Sequence, residues 1–270
     1  MKPLLNCFSA LAMSSQEDAE RVIRLGAPAD KVLVTGNMKG AGLVEQINSH
    51  KMKDLRQRLK LESSQPVFIS GSIRQQELLW LPEIYCRLLE QRPNLVGIFA
   101  PRHLKRIGRL ASWFQQQGVE FQRLSFLMNG SETRKTNVIL VDGVGMLFEL
   151  YGLGDLIFCG GSLIPLGGQN ILEPVAWGKP VFYGPHMDNF LQASQLLERA
   201  GCGIRVRDRD ELLRQLRYFL ANPGELNGMG SKGQDVLRDL DQIAIRQAEL
   251  VRGVLDNAER KEHSEKRERE

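Results

Sequence analysis

The stretch LIFCGGSLIPLGGQNILEPVAWGKPVFYGP, residues 156–185, restricts the fold more than any other part of the chain. It reads as strand, glycine pair, loop, second glycine pair, helix and strand, the order of a parallel sheet joined by crossover helices. Gly160 and Gly161 let the chain leave the carboxyl end of a strand without a β-carbon in the way of a ligand. Gly167 and Gly168 permit close backbone approach just before a helix. Asn170 is a good helix cap ahead of Ile171 and Leu172. Free amides of a first helical turn, with a dipole worth about 0.3 to 1 kcal/mol per favourable charge, make a seat for phosphate. Glu173 falls in that turn, where a carboxylate can accept bonds from two adjacent ribose hydroxyls, and Pro174 is tolerated because early helix amides lack intrahelical partners. Turn formation accounts for any one glycine, and dipole compensation for Glu173 alone; the combination points to a nucleotide.

The remaining sequence repeats the same rhythm. Strands are expected at Lys31 to Thr35, Val67 to Ser70, Leu95 to Ala100, Asn137 to Val141, Leu156 to Cys159 and Pro180 to Tyr183, with a weaker one at Val119 to Leu124 and an edge at Gly203 to Val206. Helical periodicity fills Gln75 to Gln91, Leu104 to Gln117, Met146 to Tyr151, Ile171 to Trp177, Asn189 to Ala200 and Asp210 to Ala221, each stopped by glycine, asparagine or proline. The fold class is therefore α/β, a Rossmann-like parallel sheet flanked by helices. Trp177 and the aliphatic residues before it have the spacing of helix-on-sheet packing. Four segments follow: a short piece at 1–42, a polar and basic connecting helix at 43–65, the main domain at 66–222, and a carboxy-terminal helix and tail at 223–270. The last helix is expected from Gly230 to Arg252, after which ERKEHSEKRERE is charged too densely to bury a face and is expected to fray.

Composition narrows the partners. The 36 basic and 32 acidic side chains leave a net charge of only +4, too small and too dispersed for a nucleic-acid surface. Cys7, Cys86, Cys159 and Cys202 lie far apart with no CxxC spacing, which argues against zinc and disulfides and for a cytoplasmic setting. No apolar run approaches the roughly 18 residues of a membrane span, which leaves peripheral attachment as the available membrane contact. His186 and Asp188 supply two ligand types without a third, so no metal and no cofactor is expected.

Further along the strand ends lie Gly71 and Ser72 in FISGS, the Pro101-Arg102-His103 triplet, and DGVGMLFELYG at 142–152. Arg102 follows a strand and can grip a phosphate or sugar carboxylate with its fork of donors. Backbone amides from Val144, Gly145 and Met146 can read a base at a second helix start. These pieces, with SSQEDAERVIRLGAPADKVLVTGNMK at 14–39 and GPHMDNF at 184–190, resemble 3-deoxy-D-manno-octulosonic acid (Kdo) transferases of the GT-B class, in order and from Ser14 to Leu220. The similarity implies the carboxy-terminal, donor-binding half of such an enzyme, with CMP-Kdo as donor, a lipid A precursor as acceptor, and a place at the cytoplasmic face of the inner membrane. It implies that Pro101 and Arg102 contact CMP.

The sequence departs from the family pattern at Met146, where glutamate is usual, and it keeps only part of the pattern after Ser72, where the family's Thr-His and Gly-Glu are here Ile73-Arg74 and Gln76-Glu77. In the resembled enzymes the catalytic base is a glutamate of the amino-terminal domain, for which the residues before Ser14 leave no room. No catalytic residue is therefore expected in this chain. A separate polypeptide carrying that domain, a non-catalytic CMP-binding protein and a transferase of another activated sugar are the readings that remain open.

Overall fold

The computed structural model describes residues 2–267, which form two units: residues 43–236, and residues up to 42 together with those from 237 on. The smaller unit opens with α1 (Lys2–Asn6), β1 (Leu11–Met13), α2 (Gln16–Arg24) and β2 (Val32–Val34), in which β1 and β2 pair in parallel. Ser15 caps α2 by accepting from the Asp18 amide at 3.1 Å, and Glu17 and Asp18 occupy the first turn where the helix dipole favours them. The sequence reading anticipated β2 but not β1, α1 or α2. The three residues of β1 and five of α1 carry too little periodicity to register; the nine-residue α2 was passed over although Ser15 and Asp18 had the spacing of a cap.

The larger unit begins with α3 (Ser49–Arg58), which buries Leu55. Its sheet contains β3 (Val67–Ile73), β4 (Val96–Pro101), β5 (Phe121–Arg123), β6 (Val138–Leu140), β7 (Leu156–Cys159), β8 (Val181–Tyr183) and β9 (Gly203–Arg205). All are parallel, in the spatial order β5, β6, β4, β3, β7, β8, β9. The connecting helices are α4 (Glu77–Leu89), α5 (Ile107–Gln116), α6 (Leu124–Met128), α7 (Leu147–Tyr151), α8 (Leu172–Ala176), α9 (Leu191–Ala200) and α10 (Arg209–Ala221). Every strand expected in this unit is present within two or three residues, and the Rossmann-like class holds. Only the single-turn helix α6 was not foreseen.

Strand alternation divides the core between two helical layers. Phe68, Phe99, Leu140, Phe158 and Phe182 point to the face covered by α4, α5 and α10. Ile69 and Ile157 point the other way, where Gly154 lies against both side chains and α7 packs between β3, α3 and α8. Phe99 is the hub of the first layer, meeting Phe68, Tyr85 and Phe114 edge to face at centroid distances of 6.3, 5.5 and 5.1 Å. The Tyr85 hydroxyl, wholly buried, donates to the Leu95 carbonyl at 2.9 Å.

Strand order places the functional edge. From β3 the chain runs one way through β4 and the other way through β7, β8 and β9, so the topological switch falls between β3 and β7. Helices on either side of such a switch diverge and leave a crevice beyond the carboxyl ends of the two strands.

The chain ends in α11 (Pro223–Arg267), longer at both ends than the expected Gly230 to Arg252. Proline at the first helical position is preorganised for a helix and sets the start upstream of the expected one. At the far end helical geometry continues past Arg252 into the segment expected to fray. The helix runs through Arg267, in a segment whose glutamates, lysines and arginines are good helix formers. Residues 268–270 of that segment lie outside the described residues.

Because Phe99 is fully buried among three rings, Phe99→Ala is expected to lower unfolding free energy by about 3 to 5 kcal/mol in urea titration. A loss under about 1 kcal/mol would contradict this account of the core.

Candidate functional site

The crevice at the switch is built by two loops that lean on each other. The first leaves β3 through Gly71 to Gln76, and Ser72 and Gln75 within it take left-handed backbone angles, φ 53° and 45°. Each costs about 1 to 2 kcal/mol for a residue with a side chain, a strain that surrounding structure must hold in place. The second loop leaves β7 at Gly160, whose amide donates to the Gly71 carbonyl at 2.8 Å. A β-carbon on Gly160 would sit 2.5 Å from the Ile73 α-carbon and 2.7 Å from the Ser72 carbonyl oxygen, so glycine is required here by the neighbouring loop. Likewise a β-carbon on Gly167, where φ is +77°, would collide with the Asn189 side chain. The sequence reading gave Gly160 the task of clearing a ligand and Gly167 that of close backbone approach; in the structure the space that a β-carbon would take at each is filled by protein atoms.

What holds the two loops together is Glu77, the first residue of α4, fully buried. Its Oε2 accepts from the amides of Arg74 at 2.9 Å and Gly161 at 2.6 Å, and its Oε1 from those of Ser162 at 3.0 Å and Leu163 at 3.1 Å. Burial pushes this carboxyl above the ordinary glutamate range, and the four amide donors pull it back down. The successive amides after the first glycine pair therefore form an anion nest whose anion is part of the chain.

From Gly161 a line of bonds reaches the second glycine pair. The Gly168 amide donates to the Gly161 carbonyl at 2.8 Å; Asn170 Oδ1 accepts from the Leu172 amide at 3.2 Å, and Asn170 Nδ2 donates to Glu173 Oε1 at 3.1 Å. Asn170 thus bonds the first amide of α8 from one residue before the cap position, which falls on Ile171, and regular helical geometry begins only at Leu172 and lasts five residues. So short a helix sums few peptide dipoles, and charge stabilisation at this edge falls mainly to side chains.

Two cations supply it. Arg102 directly follows β4, its amide donating to the Ile73 carbonyl at 3.0 Å, while its side chain is exposed and close enough to lower the pKa of Glu173. Burial raises the Glu173 carboxyl above the ordinary range, opposed by the Asn170 amide and by Arg102. Arg74, half-buried, lays its side chain over Gly161, with its δ-carbon 3.2 Å from where a β-carbon would stand. Neither guanidinium forms a salt bridge among the described residues. Pro101 ends β4, buried and in register with Ile73.

The structure thus brings together Gly71, Ser72, Pro101, Arg102, Gly160, Gly161, Gly167, Gly168, Asn170 and Glu173. Ile171 and Leu172 are buried, and the Leu172 amide is already taken by Asn170 Oδ1. The segment Val144, Gly145 and Met146 lies at the same edge but farther out, between β6 and α7. Val144 is 82% exposed, and Asp142 before it is tied to Ser125, accepting from its amide at 2.9 Å and hydroxyl at 2.7 Å. Glu77 and Arg74 were missed as site residues, noticed only within a partly kept family pattern. An acidic residue opening a helix just after a glycine-serine strand end was the available signal.

Other features do not compete with this edge. A cleft of about 440 Å3 opens at the amino ends of β3, β7 and β8, lined by Ser63, Arg92, Asp155, Lys179 and Phe219 among others. Its carboxylate, Asp155, is already engaged by the Val67 amide at 2.9 Å, and it contains none of the convergent groups just described. Among the described residues no group of three or more His, Cys, Asp or Glu side chains could hold a metal ion, and no helix is long and apolar enough to cross a membrane. Cys159 is buried beside the Tyr151 hydroxyl at 3.6 Å, and burial pushes its thiol up to about 12, which makes it inert as a nucleophile.

Residues 1–41 match the family described as 3-deoxy-D-manno-octulosonic-acid transferase (kdotransferase). A 3-deoxy-D-manno-octulosonic acid transferase of Haemophilus influenzae is 30% identical over 250 residues, 92% of this chain and 58% of that protein. The crystal structure of the C-terminal CMP-Kdo binding domain of WaaA from Acinetobacter baumannii superposes with a TM-score of 0.63 and 25% identity, over 73% of this chain and 98% of that one. The chain is a relative of the Kdo transferases. A bifunctional glycosyltransferase/methyltransferase of Fusobacterium nucleatum is also similar, 32% identical over 216 residues, 80% of this chain and 33% of that protein. The fold is that of the carboxy-terminal domain of GT-B glycosyltransferases, as expected. This Kdo-transferase relative spans about half the length of the curated relatives it matches.

The raised pKa of Glu173 has a consequence for stability. Between the ordinary glutamate value of 4.5 and the raised one, the folded chain binds more protons than the unfolded chain, so the contribution of Glu173 is complete at low pH and is lost as pH rises through the folded value. Urea midpoints measured from about pH 4 to pH 7 should fall less steeply for Glu173→Gln than for the wild type. Parallel curves would contradict the environment described for this carboxyl.

Proposed function

We propose that this chain binds the donor of a glycosyltransferase, holding CMP-Kdo during transfer of Kdo to a lipid A precursor. The observation that carries this reading is the convergence of Arg102, Arg74 and Glu173 on the crevice at the β3 and β7 switch, in a chain related to Kdo transferases. As the bond between the sugar and CMP breaks, negative charge grows on the phosphate, and a guanidinium beside it stabilises the transition state more than the ground state. Arg102 suits this role by its fork of donors and by its place directly after a strand; Pro101 fixes the backbone there. Glu173 accepts from the two ribose hydroxyls, and the backbone at Asn170, Ile171 and Leu172 lies beside the phosphate. Val144, Gly145 and Met146 contact the base through main-chain atoms.

In this reading residues 1–42 belong to the amino-terminal domain, 43–65 connect it to the donor domain at 66–222, and 223–270 are the carboxy-terminal helix and charged tail. The base that activates the acceptor hydroxyl comes from the amino-terminal domain, supplied by further sequence or by another polypeptide. The setting is the cytoplasm, with peripheral contact at the inner membrane where a lipid acceptor resides. Arg74 and Met146, whose side chains differ from the family pattern, support a second reading in which the same edge takes another activated sugar.

Titration calorimetry with CMP, UDP and GDP separates these readings. CMP should bind, and Arg102→Ala and Glu173→Ala should each weaken it about tenfold or more, equivalent to about 1.4 kcal/mol. Equal or tighter binding of UDP would contradict the CMP-Kdo assignment.

A further inference from the structure

Glu77 lies behind the proposed donor site rather than in it. It is fully buried, and both of its oxygens are occupied by main-chain amides, two on each. Those amides belong to both walls of the crevice: Arg74 in the loop after β3, and Gly161, Ser162 and Leu163 in the loop after β7. Each of the two loops has further attachments. The Glu77 amide itself donates to the Arg74 carbonyl at 2.9 Å, closing a ring around Arg74. Gly161 passes its position to Gly168 and so to Asn170 and Glu173. Ser162 accepts from the Gly184 amide through its hydroxyl at 2.9 Å and from the His186 amide through its carbonyl at 3.0 Å, which ties in the loop after β8.

We propose that Glu77 is a positioning residue for the donor site: its carboxylate fills the amide nest at Gly161 to Leu163, so that Arg74 and Glu173 are set in place before a donor arrives. The role is electrostatic as well as steric. All four contacts are donors, so only an oxygen acceptor on each side satisfies them. An amide in place of the carboxylate keeps the size but presents an NH2 group to two main-chain donors whichever way it is turned. Charge-assisted bonds to four amides are lost, and two buried N–H groups are left facing another donor. A ligand phosphate is correspondingly kept out of the nest and is left to the exposed side, where the Arg102 side chain lies.

This inference rests on the donor reading for its functional half, and two readouts keep the halves apart. Hydrogen exchange on the intact chain reports the nest without any ligand. Glu77→Gln should speed exchange of the Gly161, Ser162, Leu163 and Gly168 amides at least tenfold, while Leu81→Ala, one turn along α4 and equally buried, should not single out those amides. Calorimetry with CMP reports the site: Glu77→Gln should weaken CMP at least tenfold, Leu81→Ala should leave it within about twofold despite its lower melting temperature, and Glu77→Asp should recover part of the loss. Should Glu77→Gln fail to fold, Glu77→Asp is read by the same two measurements, with smaller changes of the same sign expected. Unchanged protection at Gly161 to Leu163, or CMP affinity in the Glu77 variants equal to that of Leu81→Ala, overturns the role of Glu77. Failure of the wild-type chain to bind CMP overturns the donor reading, and with it the functional half of this inference, whatever the exchange pattern shows.

Discussion

A buried carboxylate surrounded by four amide donors is the interaction on which the rest of the crevice depends. Glu77 draws together two loops that strand geometry alone would leave independent, one from β3 and one from β7. Without a counter-charge, three successive amides at Gly161 to Leu163 would face one another's dipoles in a space closed to water, a costly arrangement in a low-dielectric interior. With it, the loops gain a fixed geometry, and the left-handed residues Ser72 and Gln75 are held in conformations they would otherwise leave. The glycines follow from the same requirement, since the approach of the two loops leaves no room for a β-carbon at Gly160.

The sheet supplies the direction and the loops supply the chemistry. Seven parallel strands, the inner five buried on both faces, aim their carboxyl ends at one edge, and the reversal of order between β3 and β7 opens a gap there. Into that gap the fold delivers one carboxylate, Glu173, and two guanidiniums, Arg74 and Arg102, none of them wholly buried. The aromatic layer around Phe99 lies directly beneath β4 and stiffens the strand that ends at Pro101, so the exposed Arg102 side chain rises from a rigid base. Proposed donor binding thus draws on a firm scaffold with little helix dipole, because α8 is barely more than one turn.

Much of this was legible from residue order. Alternating apolar runs and amphipathic stretches yielded every strand of the seven-stranded sheet, and strand ends marked by glycine or Pro-Arg pointed to the edge where the loops after β3 and β7 meet. Asn170 and Glu173 were recognisable as a cap and a first-turn carboxylate, and they do bond to each other. What escaped were relations between residues distant in sequence. Glu77 lies 84 positions from Gly161, and nothing in either local sequence says that one is the anion of the other. The glycine pairs were legible as sites of close approach, but the approaching atoms belong to Ile73, Ser72 and Asn189 rather than to a ligand. Very short elements, β1 and α6, fell below the length at which period can be read, and α11 outran a reading that stopped at its charged end.

The most direct test of the account is a crystal structure of this chain grown with CMP. The nucleotide should lie beyond the ends of β3 and β7, its phosphate at Arg102 and its ribose at Glu173, while the Glu77 carboxylate keeps its four amides. Phosphate seated on the amides of Gly161 to Leu163 with Glu77 turned away, or nucleotide found only in the cleft at the opposite edge of the sheet, would contradict it.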